Sequence, residues 1–198
     1  LLVSRKGQGV RFPVDDEQVR PMGRTTSGVT GMRFRGDDEL LSMAVIPAEA
    51  DEDSRFLFSV TDEGYAKRTP VSEFRRQNRG GLGVRAMRLN DERGGLVAAL
   101  VVSEEDEVIS FKASGQVIRS AVADVSPTGR DTMGVKFVGI KGDDQVVAVT
   151  VNPEPEEDEN AEEAGTESIA AAESEVASDD DGATVGQDVS AEREATDE

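Results

Sequence analysis

The sequence predicts an all-β fold of propeller-like repeated blades, on three observations: two phrases that each recur three times, short β-rich runs bracketed by turn residues, and no sustained helical stripe. One phrase is Gly31-Met32-Arg33-Phe34, which returns as Gly83-Val84-Arg85-Ala86 and Gly134-Val135-Lys136-Phe137, in steps of 52 and 51 residues. The other is Gly7-Gln8-Gly9-Val10-Arg11-Phe12-Pro13-Val14. It returns as Gly64-Tyr65-Ala66-Lys67-Arg68-Thr69-Pro70-Val71 and Gly115-Gln116-Val117-Ile118-Arg119-Ser120-Ala121-Val122, in steps of 57 and 51. The loop 47–53 accounts for the longer step. A fixed period of this size signals a repeat architecture, in which each copy buries its apolar face against its neighbours. A β-sandwich would explain the strands but not the matched phrases.

The elements follow in chain order. Leu1-Leu2-Val3-Ser4 opens directly on a strand without an initiating Met, as expected of a fragment whose earlier part is missing. The aliphatic runs Leu40 to Ile46, Leu96 to Val102 and Val146 to Val151 each follow an acidic turn: Asp37-Asp38, Asn90-Asp91 and Asp143-Asp144. Phe56 to Val60 and Val108 to Phe111 are rich in β-branched and aromatic residues, and Asp62-Glu63-Gly64 and Ala113-Ser114-Gly115 supply the turns after them. Val117, Arg119 and Ala121 alternate with Ile118, Ser120 and Val122, the period of a half-buried strand. The acidic run Glu104 to Glu107, between two apolar runs, reads as a hairpin tip. About four short strands fit in each unit, the content of a propeller-type blade. The expected division is residues 1–50, 51–102 and 103–152.

Charge divides the chain near Val151. Residues 1–152 hold 21 Lys/Arg and 23 Asp/Glu, a net −2, whereas residues 153–198 hold 18 acids and only Arg193, a net −17. The second segment has too few large apolar residues to offset chain entropy and is expected to be a disordered acidic tail. With no Cys and no His, disulfides, thiolate or imidazole metal sites and His-dependent acid–base chemistry are excluded. There is no Walker A sequence and no membrane-length apolar run, and no signal peptide is expected. Asp179-Asp180-Asp181-Gly182 faintly suggests a calcium loop, but Ala177 stands where its first ligand belongs.

The positive charges are placed in rows. Arg11, Arg68 and Arg119 share one repeat position; Arg33, Arg85 and Lys136 share another. Equivalent positions in stacked repeats lie on equivalent faces, so each set forms a row along the array, with Arg24, Arg75, Arg76, Arg79, Arg88 and Arg130 in or beside the connections. Such a band binds phosphate backbones without reading sequence. Charge pattern alone equally allows arginines that pair with nearby acids on a solvated surface.

Gln77-Asn78-Arg79-Gly80-Gly81-Leu82-Gly83 resembles the gyrase A-box, the Gln-Arg-Arg-Gly-Gly-(Lys/Arg)-Gly signature of the C-terminal domain of the DNA gyrase A subunit. The phrases from Met22 to Arg33 and from Ser59 to Arg68 are similar to that domain's repeats, and the resemblance spans residues 1 to about 151. It implies a β-pinwheel, about three blades of the family's usual six, in which neighbouring blades exchange strands and duplex DNA wraps around a basic rim. On this resemblance Arg75, Arg76, Gln77, Arg79, Gly80, Gly81 and Gly83 join the two rows as DNA-binding residues. Asn78 and Leu82 depart from the box where the family has basic residues. Gln77 to Gly83 is therefore either a weakened secondary box or the ordinary connection of its blade.

The implied enzyme is an ATP-dependent type IIA topoisomerase that introduces negative supercoils. Its implied partners are double-stranded DNA and, in an A2B2 heterotetramer, the gyrase B subunit with the rest of the A subunit, in the cytoplasm and away from membranes. ATP and Mg2+ would act elsewhere, leaving this chain with no cofactor. No catalytic residue is expected either, since Tyr65, the one Tyr, has no catalytic neighbour in its predicted strand. Two other readings remain: the C-terminal domain of the topoisomerase IV A-type subunit, and a propeller-like protein-interaction scaffold.

Overall fold

The computed structural model describes residues 1–152; the acidic tail and the Asp179–Gly182 segment lie outside the described residues. Eleven strands form within them. The first repeat supplies β1 (Leu2–Ser4), β2 (Gln8–Val10) and β3 (Leu40–Met43). The second supplies β4 (Phe56–Thr61), β5 (Tyr65–Pro70), β6 (Val84–Arg85) and β7 (Leu96–Val102), and the third β8 (Glu107–Lys112), β9 (Val117–Ala121), β10 (Val135–Lys136) and β11 (Val146–Val151). Single 3-10 turns, Val71–Glu73 and Val122–Asp124, follow β5 and β9.

These strands build three antiparallel sheets, ordered β3-β1-β2-β6, β10-β5-β4-β7 and β11-β8-β9. Sheet membership does not follow the sequence repeats. The short strand β6 of the second repeat pairs with β2 of the first, Gln8 opposite Arg85 and Gly9 opposite Val84. In the same way β10 of the third repeat pairs with β5 of the second, Val135 opposite Ala66 and Lys136 opposite Tyr65. This is the strand exchange implied by the resemblance. The edges at residues 50 and 102 therefore mark units of sequence, while each four-stranded sheet draws on two of them.

Close backbone approach explains why glycine leads the repeated phrases. At Gly64 (φ 77°) a Cβ would lie 2.3 Å from the Val138 carbonyl oxygen, because Phe137 and Val138 both donate their N–H groups to the Gly64 carbonyl at 2.9 Å. Gly134 (φ 75°) has the same constraint from the other side, with the Ala66 carbonyl oxygen 2.5 Å from where its Cβ would be. Glycine is the residue that accepts both the left-handed conformation and the missing volume.

The core lies within the sheets and between them. Phe56, Phe58, Val60, Ala66, Ala98, Val102, Val108, Val122, Val125, Val138 and Val146 form one buried cluster, and Phe137 packs edge-on to Phe58 with ring centroids 5.3 Å apart. A second cluster joins Val3 of the first repeat to Leu57, Phe74, Ala86, Met87, Leu96 and Ala99 of the second. Each cluster draws on consecutive repeats, so burial ties the array together.

Two local expectations change. The run from Leu40 ends as a strand at Met43, not Ile46. The acidic segment from Glu104 is not a hairpin tip: β7 pairs with β4 while β8 pairs with β11 and β9. Flanking apolar runs that belong to different sheets leave Glu104 to Asp106 as a sheet-to-sheet connection, and Glu107 already opens β8.

Candidate nucleic-acid interface

The first row of equivalent arginines is mostly interior. Arg11 is 7% exposed, and its Nη1 donates to the carbonyls of Val71 and Phe74, both at 3.2 Å, and to Glu52 Oε2 at 2.9 Å. Its Nη2 meets the other Glu52 oxygen. Arg68 is 2% exposed; its Nη2 reaches Glu104 Oε1 at 3.3 Å, and its guanidinium lies 4.7 Å from the Phe56 ring centre. The expectation of a phosphate-facing row is thus corrected at these two positions. A buried charge needs a partner, and the acidic connections supply one: Glu52 after β3 and Glu104 after β7. Arg119 is exposed but pairs with Glu107 on the neighbouring strand.

The second row faces solvent. Arg33, Arg85 and Lys136 are all exposed, and the last two sit on the exchanged strands β6 and β10. Lys136 Nζ donates to the Glu63 carbonyl at 2.8 Å and lies 4.7 Å from the Tyr65 ring centre. Arg93 covers that ring at 3.9 Å, so Tyr65 serves as a packing surface for two cations.

The box-like segment runs beside the first copy of the Gly-led phrase. The Gly80 N–H donates to the Gly31 carbonyl at 2.6 Å, and the Arg33 N–H to the Gly81 carbonyl at 2.9 Å. Arg79 is used to shape the loop: its Nε donates to the Gln18 carbonyl at 2.5 Å and its Nη1 to the Thr30 carbonyl at 3.2 Å. Gln77 joins through its backbone N–H to the Arg11 carbonyl at 2.9 Å. Gly83 (φ 78°) has the Gly9 carbonyl oxygen 2.4 Å from its absent Cβ, whereas a Cβ on Gly81 would meet nothing closer than 3.8 Å. Arg75 and Arg76 are exposed, and Arg76 shares Glu52 with Arg11 through a 2.7 Å ion pair. The hydrogen bonds from Arg11 and then Arg76 hold the Glu52 carboxyl down at about 2.

Sequence reading missed two residues here. Asp131 binds Arg85 Nη1 at 2.6 Å through Oδ1 and Arg88 Nη2 at 2.9 Å through Oδ2, and these bonds, Arg88's foremost, lower its carboxyl to about 2. Lys67 is 1% exposed, and its ammonium donates to the carbonyls of Gly129, at 3.0 Å, and Arg130. Burial lowers that ammonium to about 8. The signal for Asp131 was present in the repeats: aligning Gly83 with Gly134 sets Asp131 opposite Gly80 of the box-like segment. Among the described residues no group of three or more carboxylates is placed to hold a metal ion, and no helix is long and apolar enough to cross a membrane.

The family described as DNA gyrase C-terminal domain, beta-propeller, matches residues 1–47, 55–103 and 106–153, one match for each repeat. The chain belongs to this family. It is 47% identical over 190 residues to the DNA gyrase A subunit of a Nocardioides species, covering 82% of the chain and 21% of that relative. With the Streptomyces coelicolor DNA gyrase A subunit it shares 52% over 154 residues, covering 78% and 17%. The chain thus spans about a fifth of these curated relatives. Among solved structures, a DNA gyrase A C-terminal domain superposes with a TM-score of 0.65 at 29% identity, covering 77% of the chain and 50% of its own. The C-terminal domain of a DNA topoisomerase IV superposes at 0.67 with 22% identity, covering 76% and 45%, a likeness of fold. In this chain each exchanged strand carries a basic residue, Arg85 on β6 and Lys136 on β10, at the junction of two repeats.

Proposed function

We propose that this chain binds and wraps duplex DNA as part of a DNA gyrase A subunit, supporting ATP-dependent negative supercoiling by a type IIA topoisomerase. The observation that carries the reading is the solvent-facing set Arg33, Arg85 and Lys136, one cation in each copy of the Gly-led phrase. Arg75 and Arg76 add exposed charge beside the first junction, and Arg79 with Gly80, Gly81 and Gly83 sets the backbone course there. Arg11 and Arg68 contribute indirectly, by fixing the connections that carry Glu52 and Glu104. The phosphate contacts would position the duplex without reading its sequence.

In a cytoplasmic A2B2 assembly, the gyrase B subunit with the rest of the A subunit would supply strand cleavage together with ATP and Mg2+. The test is binding of the full chain to a labelled duplex across a salt series. The chain is expected to lose affinity as salt rises, and replacing Arg33, Arg85 and Lys136 together by Ala should flatten the slope by about 0.9 for each phosphate no longer neutralised. Binding that ignores both salt and the triple substitution overturns the reading.

A further inference from the structure

We propose that Arg85 and Arg88 form a phosphodiester seat that the chain keeps occupied with its own carboxylate, Asp131, so that this junction between repeats engages DNA only as Asp131 is displaced. The proposal rests on the DNA-binding reading above and deepens it.

The geometry is that of a bound anion. Asp131 offers one oxygen to each guanidinium, Oδ1 to Arg85 at 2.6 Å and Oδ2 to Arg88 at 2.9 Å, with Arg88 Nε 3.4 Å from Oδ1. Two guanidinium groups converging on two oxygens of one centre is also the arrangement that recognises the two non-bridging oxygens of a phosphate. All three side chains are about half exposed, so an incoming duplex can reach them.

The carboxylate is held in place from both sides. Before it, the Arg130 carbonyl accepts from the buried Lys67 ammonium, and Arg130 Nη1 donates to the Arg85 carbonyl at 3.3 Å. After it, the Thr132 carbonyl accepts from the Arg88 N–H at 2.9 Å. The loop therefore presents Asp131 to the two arginines with its backbone already fixed.

The preceding junction supplies an internal control. There Gly80 stands at the position of Asp131 and Arg33 at that of Arg85. Gly80 has no side chain to offer, and Arg33 has no ion-pair partner among the described residues. The first junction is open and offers one guanidinium, since Gly36 holds the position of Arg88; the next offers two and is closed by Asp131. A Cβ at Gly80 would meet nothing closer than the Thr30 carbonyl oxygen at 3.5 Å, and at φ 75° Asp is among the side chains that backbone tolerates.

The experiment titrates the full chain with a labelled DNA duplex across a salt series, alongside thermal unfolding of each variant. Asp131→Asn is expected to bind several-fold more tightly at low salt, with a slope of log affinity against log salt steeper by about 0.9 per phosphate gained. Replacing both Arg85 and Arg88 by Ala in that background should abolish the gain. Gly80→Asp should close the open junction and weaken binding. An Asp131→Asn chain with the wild-type slope, or with weaker binding and a lowered Tm, overturns the seat and makes Asp131 a staple between repeats. A wild-type chain without salt-dependent binding overturns the DNA reading itself and this proposal with it, whereas salt-dependent wild-type binding with an unchanged Asp131→Asn variant overturns this proposal alone.

Discussion

Arg11 and Arg68 hold the same place in two repeats and are both buried, yet their surroundings predict different energetics. Arg11 has two carbonyls and both oxygens of Glu52. Arg68 has one hydrogen bond at 3.3 Å, and its Nε and Nη1 have no hydrogen-bond partner. Removing one member of a well-paired buried ion pair costs about 3–5 kcal/mol, while replacing a poorly compensated charge by an apolar side chain is often neutral or stabilising. Arg11→Met is therefore expected to destabilise by about 3 kcal/mol and Arg68→Met by less than about 1 kcal/mol, measured by denaturant unfolding at neutral pH. Glu52 sets a pH signature for the same network. Its folded value of about 2 lies below the ordinary 4.5, so its contribution is complete above the ordinary value and lost as pH falls toward the folded one. The stability gap between wild type and Glu52→Gln should accordingly shrink from pH 5 to pH 3. Sequence placed Arg11 and Arg68 in register through the repeats. It could not place them indoors, because their carboxylate partners lie in connections outside the matched phrases.

At the scale of elements, most strands were legible and the pairing was not. The runs Leu96 to Val102 and Val146 to Val151 match β7 and β11 end to end, since β-rich runs between turn residues mark their own limits. The exchanged strands β6 and β10 are two residues long, too short to show any period; the repeated Gly-led phrase marked their place, but only the resemblance pointed to their exchange between repeats. Hairpin glycines that look identical in sequence have different neighbours. Gly64 and Gly115 share a left-handed φ, 77° and 84°, but a Cβ at Gly64 strikes the Val138 carbonyl while one at Gly115 meets nothing within 4 Å. Gly115→Ala should cost about 1 kcal/mol of backbone strain. Gly64→Ala should cost considerably more and should loosen β10, measured by thermal unfolding and by hydrogen exchange at Phe137 and Val138, which donate to the Gly64 carbonyl.

For the whole molecule, the division of charge matters more than its total. A net −2 over residues 1–152 coexists with exposed cations at the repeat junctions, while residues 153–198 carry −17. A tethered segment of that charge would compete with phosphates for those cations, and salt would screen the competition, with a Debye length of about 8 Å at physiological ionic strength. Deleting residues 153–198 is therefore expected to tighten duplex binding, most at low salt, as a titration of both forms across a salt series would record. The basic residues themselves were only partly legible. Repeat alignment found Arg33, Arg85 and Lys136, which are exposed, but a row on a strand says nothing about which face is outward until the partner sheet is known.

The strand exchange also bears on how such an array is lengthened or shortened. The second and third repeats each give a strand to the one before, as β6 joins β2 and β10 joins β5, so the first and second each receive one. A duplication or loss of one whole internal period, about 51 residues, therefore leaves every remaining junction with one donor and one acceptor, and no sheet has to be redesigned. A cut that takes a donor without its replacement lacks this property: removing residues 103–152 would strip β10 from the second sheet and expose the edge of β5, although no residue of the second repeat had been touched. Copy number is thus a quantity that evolution can change in whole steps at low structural cost, and the period written in the sequence is the size of that step.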